Sequence, residues 1–166
     1  INNTLTAALA TIKENNDIQF IWQTGKYYYP QVTEAVRAAG ELPNLHVTDF
    51  IKDMAAAYAA SDLVISRAGA GSISEFFLLH KPVVLVPSPN VAEDHQTKNA
   101  LALVDKQAAI YVKDSEAEAK LMDVALNTVA DDRKLKELSE NIAKLALPDS
   151  ARIIAQEVIK LAEAEN

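Results

Sequence analysis

The stretch "SRAGAGSISE", residues 66–75, combines small residues with one carboxylate between two apolar runs. If a helix begins here, its first N–H groups and the positive end of its dipole suit an anion such as phosphate. Gly69 and Gly71 have no side chain, so a ligand can approach their backbone closely. Glu75 can only accept hydrogen bonds, so its natural ligand partner is a donor such as a pair of sugar hydroxyls. Together these features are typical of a site for a nucleotide sugar.

The same residues support a second explanation that needs no ligand. Ser72-Ile73-Ser74-Glu75 matches the capping box S-x-x-E, in which the glutamate bonds back to the start of its own helix. Short motifs of this kind occur often by chance. From spacing alone the capping box is the favoured interpretation.

Three further polar segments follow apolar runs that are typical of strands. They are "WQTGK" at 22–26, "DFIKDM" at 49–54 and "PSPNVAEDHQTKN" at 87–99. The last is long and polar, and loops of that kind tend to carry function. In a parallel sheet, ligands bind at the carboxyl ends of the strands. We therefore expect these segments to share one edge of a sheet with residues 66–75.

The elements that must position these segments alternate along the chain. Hydrophobic periodicity and Gly or Pro boundaries separate helices from strands. Helices are predicted at 3–16, 28–39, 53–60, 72–80, 92–106, 115–127, 131–145 and 149–164, and strands at 17–25, 44–50, 62–66, 82–87 and 108–112. Such alternation predicts an α/β fold, a parallel sheet with helices on both faces.

Composition excludes several classes of protein. The 166 residues are 49% hydrophobic and 23% charged, which is typical of a globular domain. There is no cysteine, so disulfides and thiolate metal sites are excluded. The net charge of −7 argues against nucleic-acid binding through the phosphate backbone. No apolar run is long enough to span a membrane.

Residues 50–100 carry a specific set of motifs in a fixed order. They are the R-x-G-A-x-[ST]-x-[ST]-E run, the P-x-x-x-V-P spacing at 82–87 and "HQTKNA" at 95–100, with "WQTGK" and "INNTL" upstream. This pattern resembles the MurG family, bacterial N-acetylglucosaminyltransferases that convert lipid I to lipid II in peptidoglycan synthesis. The resemblance covers nearly the whole chain.

The resemblance implies a GT-B architecture, in which two Rossmann-like domains enclose the active site. Residues 1–166 would be the C-terminal domain, which binds the donor UDP-N-acetylglucosamine, with 149–164 as its C-terminal helix. The N-terminal acceptor domain, and the first strand with its glycine-rich "GGS-x-GA" turn, are expected to lie outside the chain. The family is metal-independent and needs no cofactor. The general base is expected in the other domain, so no catalytic residue is assigned within 1–166.

Roles for individual residues follow from the resemblance. Around the uracil it places Phe50, Ile51 and Met54, with Ile51 acting through its backbone. Glu75 would accept from the ribose hydroxyls, and the diphosphate and sugar would contact Ala70, Gly71 and Ser72. The N-acetylglucosamine hydroxyls or the diphosphate would meet His95, Gln96 and Asn99, with His95 and Gln96 as alternatives for the sugar contact. Without the resemblance, "FIKDM" would be a strand end followed by a buried helix start.

Arg67 has two possible roles at the level of sequence. Arg67 could pair with phosphate, or form a structural salt bridge with Asp62 or Glu75.

The resemblance also implies lipid I as acceptor and a cytoplasmic location, peripheral on the inner face of the plasma membrane. Alternatives are a GT-B transferase for another UDP-sugar, a sugar-nucleotide epimerase, or a binding module without activity. The epimerase would need catalytic acids on this domain, and none is well placed.

Overall fold

A computed structural model describes residues 1–91 and 94–164 of the chain. Helices and strands alternate from one end to the other. The helices are α1 (Asn2–Ala7), α2 (Leu9–Glu14), α3 (Tyr29–Ala39), α4 (Met54–Ala60), α5 (Ala70–Leu79), α6 (His95–Val104), α7 (Ala117–Val129), α8 (Asp132–Ala143) and α9 (Ser150–Ala164). The strands are β1 (Phe20–Gln23), β2 (Leu45–Thr48), β3 (Val64–Ser66), β4 (Val83–Leu85) and β5 (Ile110–Tyr111), and a 3-10 turn covers Asp114–Glu116.

The strands form two parallel sheets within the described residues. β1 pairs with β2, with Phe20 opposite Leu45, and β4 lies between β3 and β5, with Val84 opposite Ile65 and Ile110. The predicted α/β class with parallel pairing is confirmed. The division into two sheets differs from the single sheet that we expected.

Strand β4 is far more deeply buried than strands β1 and β3. Residues 83–86, along β4, are fully buried, with an exposed fraction of 0% for each side chain. All three residues of β3 are only half-buried, and Ile21 of β1 is 49% exposed. Parallel strands are normally covered on both faces. β1 and β3 are therefore less completely covered than the strand at the centre of the second sheet.

The hydrophobic core is divided in the same way as the strands, with separate clusters beside the two sheets. One cluster forms around Trp22 and Val32 beside β1, and another around Phe76 and Leu85 beside β4. Helix α7 connects the two sides of the molecule. Its Met122 packs with the Trp22 cluster, whereas its neighbour Leu121 packs against β4 and β5.

Several predicted boundaries were wrong by a few residues. The helix expected at 3–16 is two helices, because the chain turns at Ala8, whose N–H is shared between the carbonyls of Thr4 and Leu5. The strands are shorter than expected, since residues at both ends of the apolar runs leave the ladder. α3 ends as predicted at Gly40, whose φ of 89° favours glycine.

The last helix stands apart from the rest. α9 exposes apolar side chains along its length, among them Ile154 at 64% and Leu161 at 68%. Among residues 1–91 and 94–164, no helix combines the length and apolarity needed to cross a bilayer.

Candidate nucleotide-sugar site

Helix α5 begins earlier than the capping-box interpretation requires. Its N-cap is Gly69, and its first backbone bond runs from the Ile73 N–H to the Gly69 carbonyl at 3.0 Å. Ser72 is therefore the third residue inside the helix, and no side chain caps the terminus. The capping-box interpretation of Ser72 and Glu75 is wrong.

The first turn of α5 presents its backbone openly. Ala70, Gly71 and Ser72 occupy that turn, where N–H groups have no partner within the helix. Ala70 and Gly71 are exposed and Ser72 is half-buried. A Cβ atom added at Gly69 or Gly71 would meet nothing within 4 Å. An anion can therefore reach this helix end from solvent.

Glu75 lies one turn further along α5 and is exposed. Its Oε2 accepts a hydrogen bond from the Tyr58 hydroxyl of α4 at 3.0 Å. The Tyr58 ring meets the buried Phe76 edge-to-face, with centroids 5.8 Å apart. Burial, and then the hydrogen bond and negative charge of Glu75, raise the pKa of Tyr58 to about 12. Tyr58 therefore stays neutral and donates a hydrogen bond to the carboxylate.

The segment after β2 holds the residues that the resemblance assigns to uracil. Phe50 is 61% exposed, and the Ile51 N–H donates to the Gln23 Oε1 at 2.8 Å. Asp53 caps α4 by accepting from the Ala56 N–H at 2.9 Å, and Met54 is the first helical residue. No residue of α4 is buried, so the alternative of a buried helix start is wrong.

Helix α6 supplies the residues assigned to the sugar, and two of them hold neighbouring loops. Gln96 Oε1 accepts from the Ser88 N–H at 2.9 Å, and Asn99 Nδ2 donates to the Ala68 carbonyl at 3.1 Å. Asn99 therefore connects α6 to the loop that leads into α5. His95 is exposed at the first position of α6. Of the loop before it, Ala92 and Glu93 lie outside the described residues.

Arg67 pairs with a partner that the sequence did not suggest. Its Nη1 donates to the carbonyls of Val86 and Pro87, each at 3.0 Å, and to the Asp114 carboxylate. It bonds neither Asp62 nor Glu75, so both expected salt bridges are wrong. The side chain joins the carboxyl end of β3 to that of β4 and to the turn after β5. This bracing holds the strand ends on which the loops of the site depend.

The structure brings together most of the elements predicted for the site. Tyr58 joins α4 to α5, and Asn99 joins α6 to the start of α5. Gln23, Tyr58 and Asp114 were not predicted from the sequence as residues of the site. For Tyr58 a signal existed, because it lies four residues after Met54 and so on the same face of α4. No group of three or more His, Asp or Glu side chains in the described ranges is arranged to hold a metal ion.

Comparison with known proteins decides the family. The profile of the glycosyltransferase family 28 C-terminal domain matches residues 1–154. The chain belongs to glycosyltransferase family 28. A relative from Bacteroides thetaiotaomicron is 99% identical over all 166 residues, and one from Porphyromonas gingivalis is 49% identical over 165. Both are named UDP-N-acetylglucosamine--N-acetylmuramyl-(pentapeptide) pyrophosphoryl-undecaprenol N-acetylglucosamine transferase. The chain spans 45% and 43% of their lengths.

Solved structures agree with the assignment to family 28. The crystal structure of Acinetobacter baumannii MurG has a TM-score of 0.79 at 28% identity, covering 96% of this chain and 45% of that one. The glycosyltransferase VinC, solved in complex with DTDP, has a TM-score of 0.71 at 20% identity, covering 95% and 37%. The expected fold class, one half of a GT-B fold, is confirmed, and so is the resemblance to MurG.

Proposed function

We propose that residues 1–166 form the donor-binding half of an inverting N-acetylglucosaminyltransferase. The full enzyme would move N-acetylglucosamine from UDP-N-acetylglucosamine to lipid I, giving lipid II. The observation that carries this proposal is the layout of α5, which offers open N–H groups in its first turn and the Glu75 carboxylate one turn later. Those are complementary to a diphosphate and a ribose. The 99% identity to a transferase with that donor in its name supports the choice of substrate.

The base and the ribose would be held by different elements. Phe50 and Met54 would flank the uracil, and the backbone of Ile51 would hydrogen-bond its edge, which carries both donor and acceptor groups. Glu75 would accept from the ribose 2′ and 3′ hydroxyls. The 3.0 Å contact between Tyr58 and Glu75 supports this arrangement, because it ties the two elements together.

The diphosphate would lie over the start of α5. Charge develops on the departing UDP in the transition state, and preorganised N–H groups stabilise such charge. Ala70, Gly71 and Ser72 would supply them together with the helix dipole. His95, Gln96 and Asn99 would approach the sugar or the diphosphate. Gln96 binds the Ser88 N–H through its side-chain oxygen, so its NH₂ group can donate to the ligand. Asn99 binds the Ala68 carbonyl through its NH₂ group, so its side-chain oxygen can accept from the ligand. The base that activates the acceptor hydroxyl would come from the N-terminal domain.

We further propose that a strand from outside residues 1–166 lies between β1 and β3, followed by the glycine-rich turn. In doubly wound folds the first strand lies between the second and the fourth. Asn2 Nδ2 donates to the Thr24 carbonyl at the end of β1, at 2.9 Å. Ile1 packs against the hydrophobic cluster that Ile65 of β3 also contacts. The start of the chain thus lies beside both β1 and β3, the two incompletely covered strands.

Lipid I would bind the N-terminal domain, which would also contact the inner face of the cytoplasmic membrane. On this proposal the enzyme is cytoplasmic and peripheral, and it binds no nucleic acid. The alternatives of a GT-B transferase for another UDP-sugar, or a binding module without activity, remain the competitors. The relatives' names favour N-acetylglucosamine over other sugars.

The full-length gene product, purified and supplied with a lipid I analogue, tests the proposal. We expect transfer of radiolabelled N-acetylglucosamine from its UDP donor and little transfer of glucose from UDP-glucose. Glu75→Ala should reduce kcat/KM for the donor. Residues 1–166 expressed alone should transfer no sugar, because the acceptor site and base are elsewhere. Transfer from UDP-glucose at an equal rate would instead favour another UDP-sugar as donor, and no transfer from either would favour a binding module.

A further inference from the structure

The Tyr58 side chain makes two contacts, one through its hydroxyl and one through its ring. The hydroxyl donates to Glu75 Oε2 at 3.0 Å, and the ring packs edge-to-face on Phe76 with an interplanar angle of 88°. Phe76 is buried, with an exposed fraction of 1%, in the cluster beside β4. The position of the hydroxyl is therefore fixed by a well-packed ring.

Glu75 by contrast is exposed and has little to hold it. Within residues 1–91 and 94–164, Tyr58 is its only side-chain hydrogen-bond partner. An exposed glutamate samples several rotamers and loses that freedom when it binds a ligand. A partner that fixes Oε2 reduces this entropic cost and leaves Oε1 available as an acceptor.

Tyr58 also connects Glu75 to the uracil side of the proposed site. Met54 and Tyr58 are four residues apart on α4, and side chains with that spacing lie on one face of a helix. A base against Met54 and a ribose against Glu75 would thus lie at neighbouring points along one surface. The spacing between the two contacts is then set by α4 together with the hydrogen bond from Tyr58 to Glu75.

We propose that Tyr58 is a positioning residue for the nucleoside, which orients the Glu75 carboxylate toward the ribose hydroxyls and sets its distance from the base. This inference rests on the proposed function, because it assumes that the ligand is a uridine nucleotide. Tyr58 touches Glu75 and not the reacting atoms, so it acts through binding of the donor and not through the chemical step.

Calorimetry on the full-length protein with UDP and with 2′,3′-dideoxy-UDP tests the inference. Tyr58→Phe keeps the ring on Phe76 and removes only the hydroxyl, so the melting temperature should be nearly unchanged. We expect a loss of about threefold to tenfold in UDP affinity. The dideoxy nucleotide has no ribose hydroxyls, so its affinity should not change. Tyr27→Phe serves as the matched control, because Tyr27 is 86% exposed.

A second comparison separates positioning from a general structural role. In a Glu75→Ala background, Tyr58→Phe should cause no further loss of UDP affinity, because the hydroxyl then has nothing to orient. An unchanged UDP affinity in Tyr58→Phe would overturn the inference, as would an equal loss for both nucleotides. Failure of the wild-type protein to bind UDP would instead overturn the proposed function, and the inference with it.

Discussion

The backbone N–H of Ile51 donates to the side-chain carbonyl of Gln23 across the ends of β2 and β1, at 2.8 Å. The proposed function assigns the same N–H to uracil. A carboxamide oxygen and a uracil carbonyl are similar acceptors, so on the proposed function Gln23 would compete with the base for this N–H. The two cannot both hold this N–H in the best geometry.

Removing this competitor should strengthen nucleotide binding. In Gln23→Ala the Ile51 N–H faces water, and uracil no longer has to displace a protein group. A typical hydrogen bond has a net value of about 0.5–1.5 kcal/mol, so we expect UDP affinity to rise about twofold to tenfold by calorimetry. Gln31→Ala, at an exposed position of α3, should change nothing. A fall in UDP affinity would mean that Gln23 supports the loop and does not compete with the base.

Base selectivity should follow from the same loop. Uracil and cytosine differ in the donor and acceptor groups of their edges, and adenine differs in shape as well. A mismatched edge leaves a backbone group unpaired, at a cost of about 1–3 kcal/mol. UDP should therefore bind about one to two decades more tightly than CDP or ADP in competition calorimetry. Equal affinities would exclude reading of the base by Ile51.

The role of Glu75 in binding can be separated from a role in stability. Glu75→Gln keeps the shape but removes the charge and half of the acceptor capacity. Because Glu75 does not cap α5, we expect almost no change in melting temperature. A charged hydrogen bond contributes about 1.5–3 kcal/mol, so UDP affinity should fall by at least tenfold.

The control for Glu75→Gln is a nucleotide that lacks the ribose hydroxyls. With 2′,3′-dideoxy-UDP the difference between wild type and Glu75→Gln should largely disappear. Normal UDP binding together with a melting temperature several degrees lower would show that the carboxylate stabilises the fold and has no role at the ribose.

Titration of Tyr58 reports on its contact with Glu75. The difference in tyrosinate absorbance between wild type and Tyr58→Phe should show a group with a pKa of about 12, compared with its ordinary value of 10.0. In Glu75→Gln this pKa should move back toward 10.0, because the negative charge that opposes ionisation is gone. A pKa raised in the folded state stabilises the protein below pH 10, and this contribution disappears as the pH rises to about 12. Identical titrations in the two backgrounds would contradict the contact.

Arg67 should matter to stability far more than a surface arginine. Arg67→Met removes bonds to two backbone carbonyls and leaves Asp114, whose side chain is 32% exposed, without its cation. We expect a loss of about 1.5–3 kcal/mol in the free energy of unfolding by urea titration. Arg37→Met breaks an exposed pair with Glu34, so its effect should stay below about 0.5 kcal/mol. Similar losses in both variants would show that Arg67 does not brace the strand ends.

The elements of the fold were largely predictable because their signals are local. Alternating apolar runs, Gly40 after α3 and the Asp53 cap of α4 each depend on a few neighbouring residues. Boundaries were less predictable, since Ser72 and Glu75 match a capping motif that the helix bypasses by starting at Ala70. A glycine N-cap leaves no side-chain signature, so spacing alone favoured the wrong start.

The contacts of the site depend on residues far apart in sequence. Arg67 pairs with Asp114, 47 residues away, and Gln23 reaches Ile51 across 28 residues. Charge and residue type did suggest an ion pair for Arg67, but several carboxylates were available and only the packing of strand ends selects one. The proposed roles of the residues come from the family resemblance, because no local pattern would distinguish an exposed glutamate that binds a ribose from any other.

In residues 1–166 expressed alone, without the strand proposed between β1 and β3, the division of the strands into two sheets has a consequence for how the domain opens. Each sheet has its own hydrophobic cluster, and regions of this kind tend to unfold as separate cooperative units that hydrogen exchange can resolve. The proposed nucleotide would be held by the loop after β2 on one side and by the helix after β3 on the other. The bound nucleotide would link the two units, because it contacts both of them. Its binding would therefore slow amide exchange deep in both sheets, at strands that it does not contact.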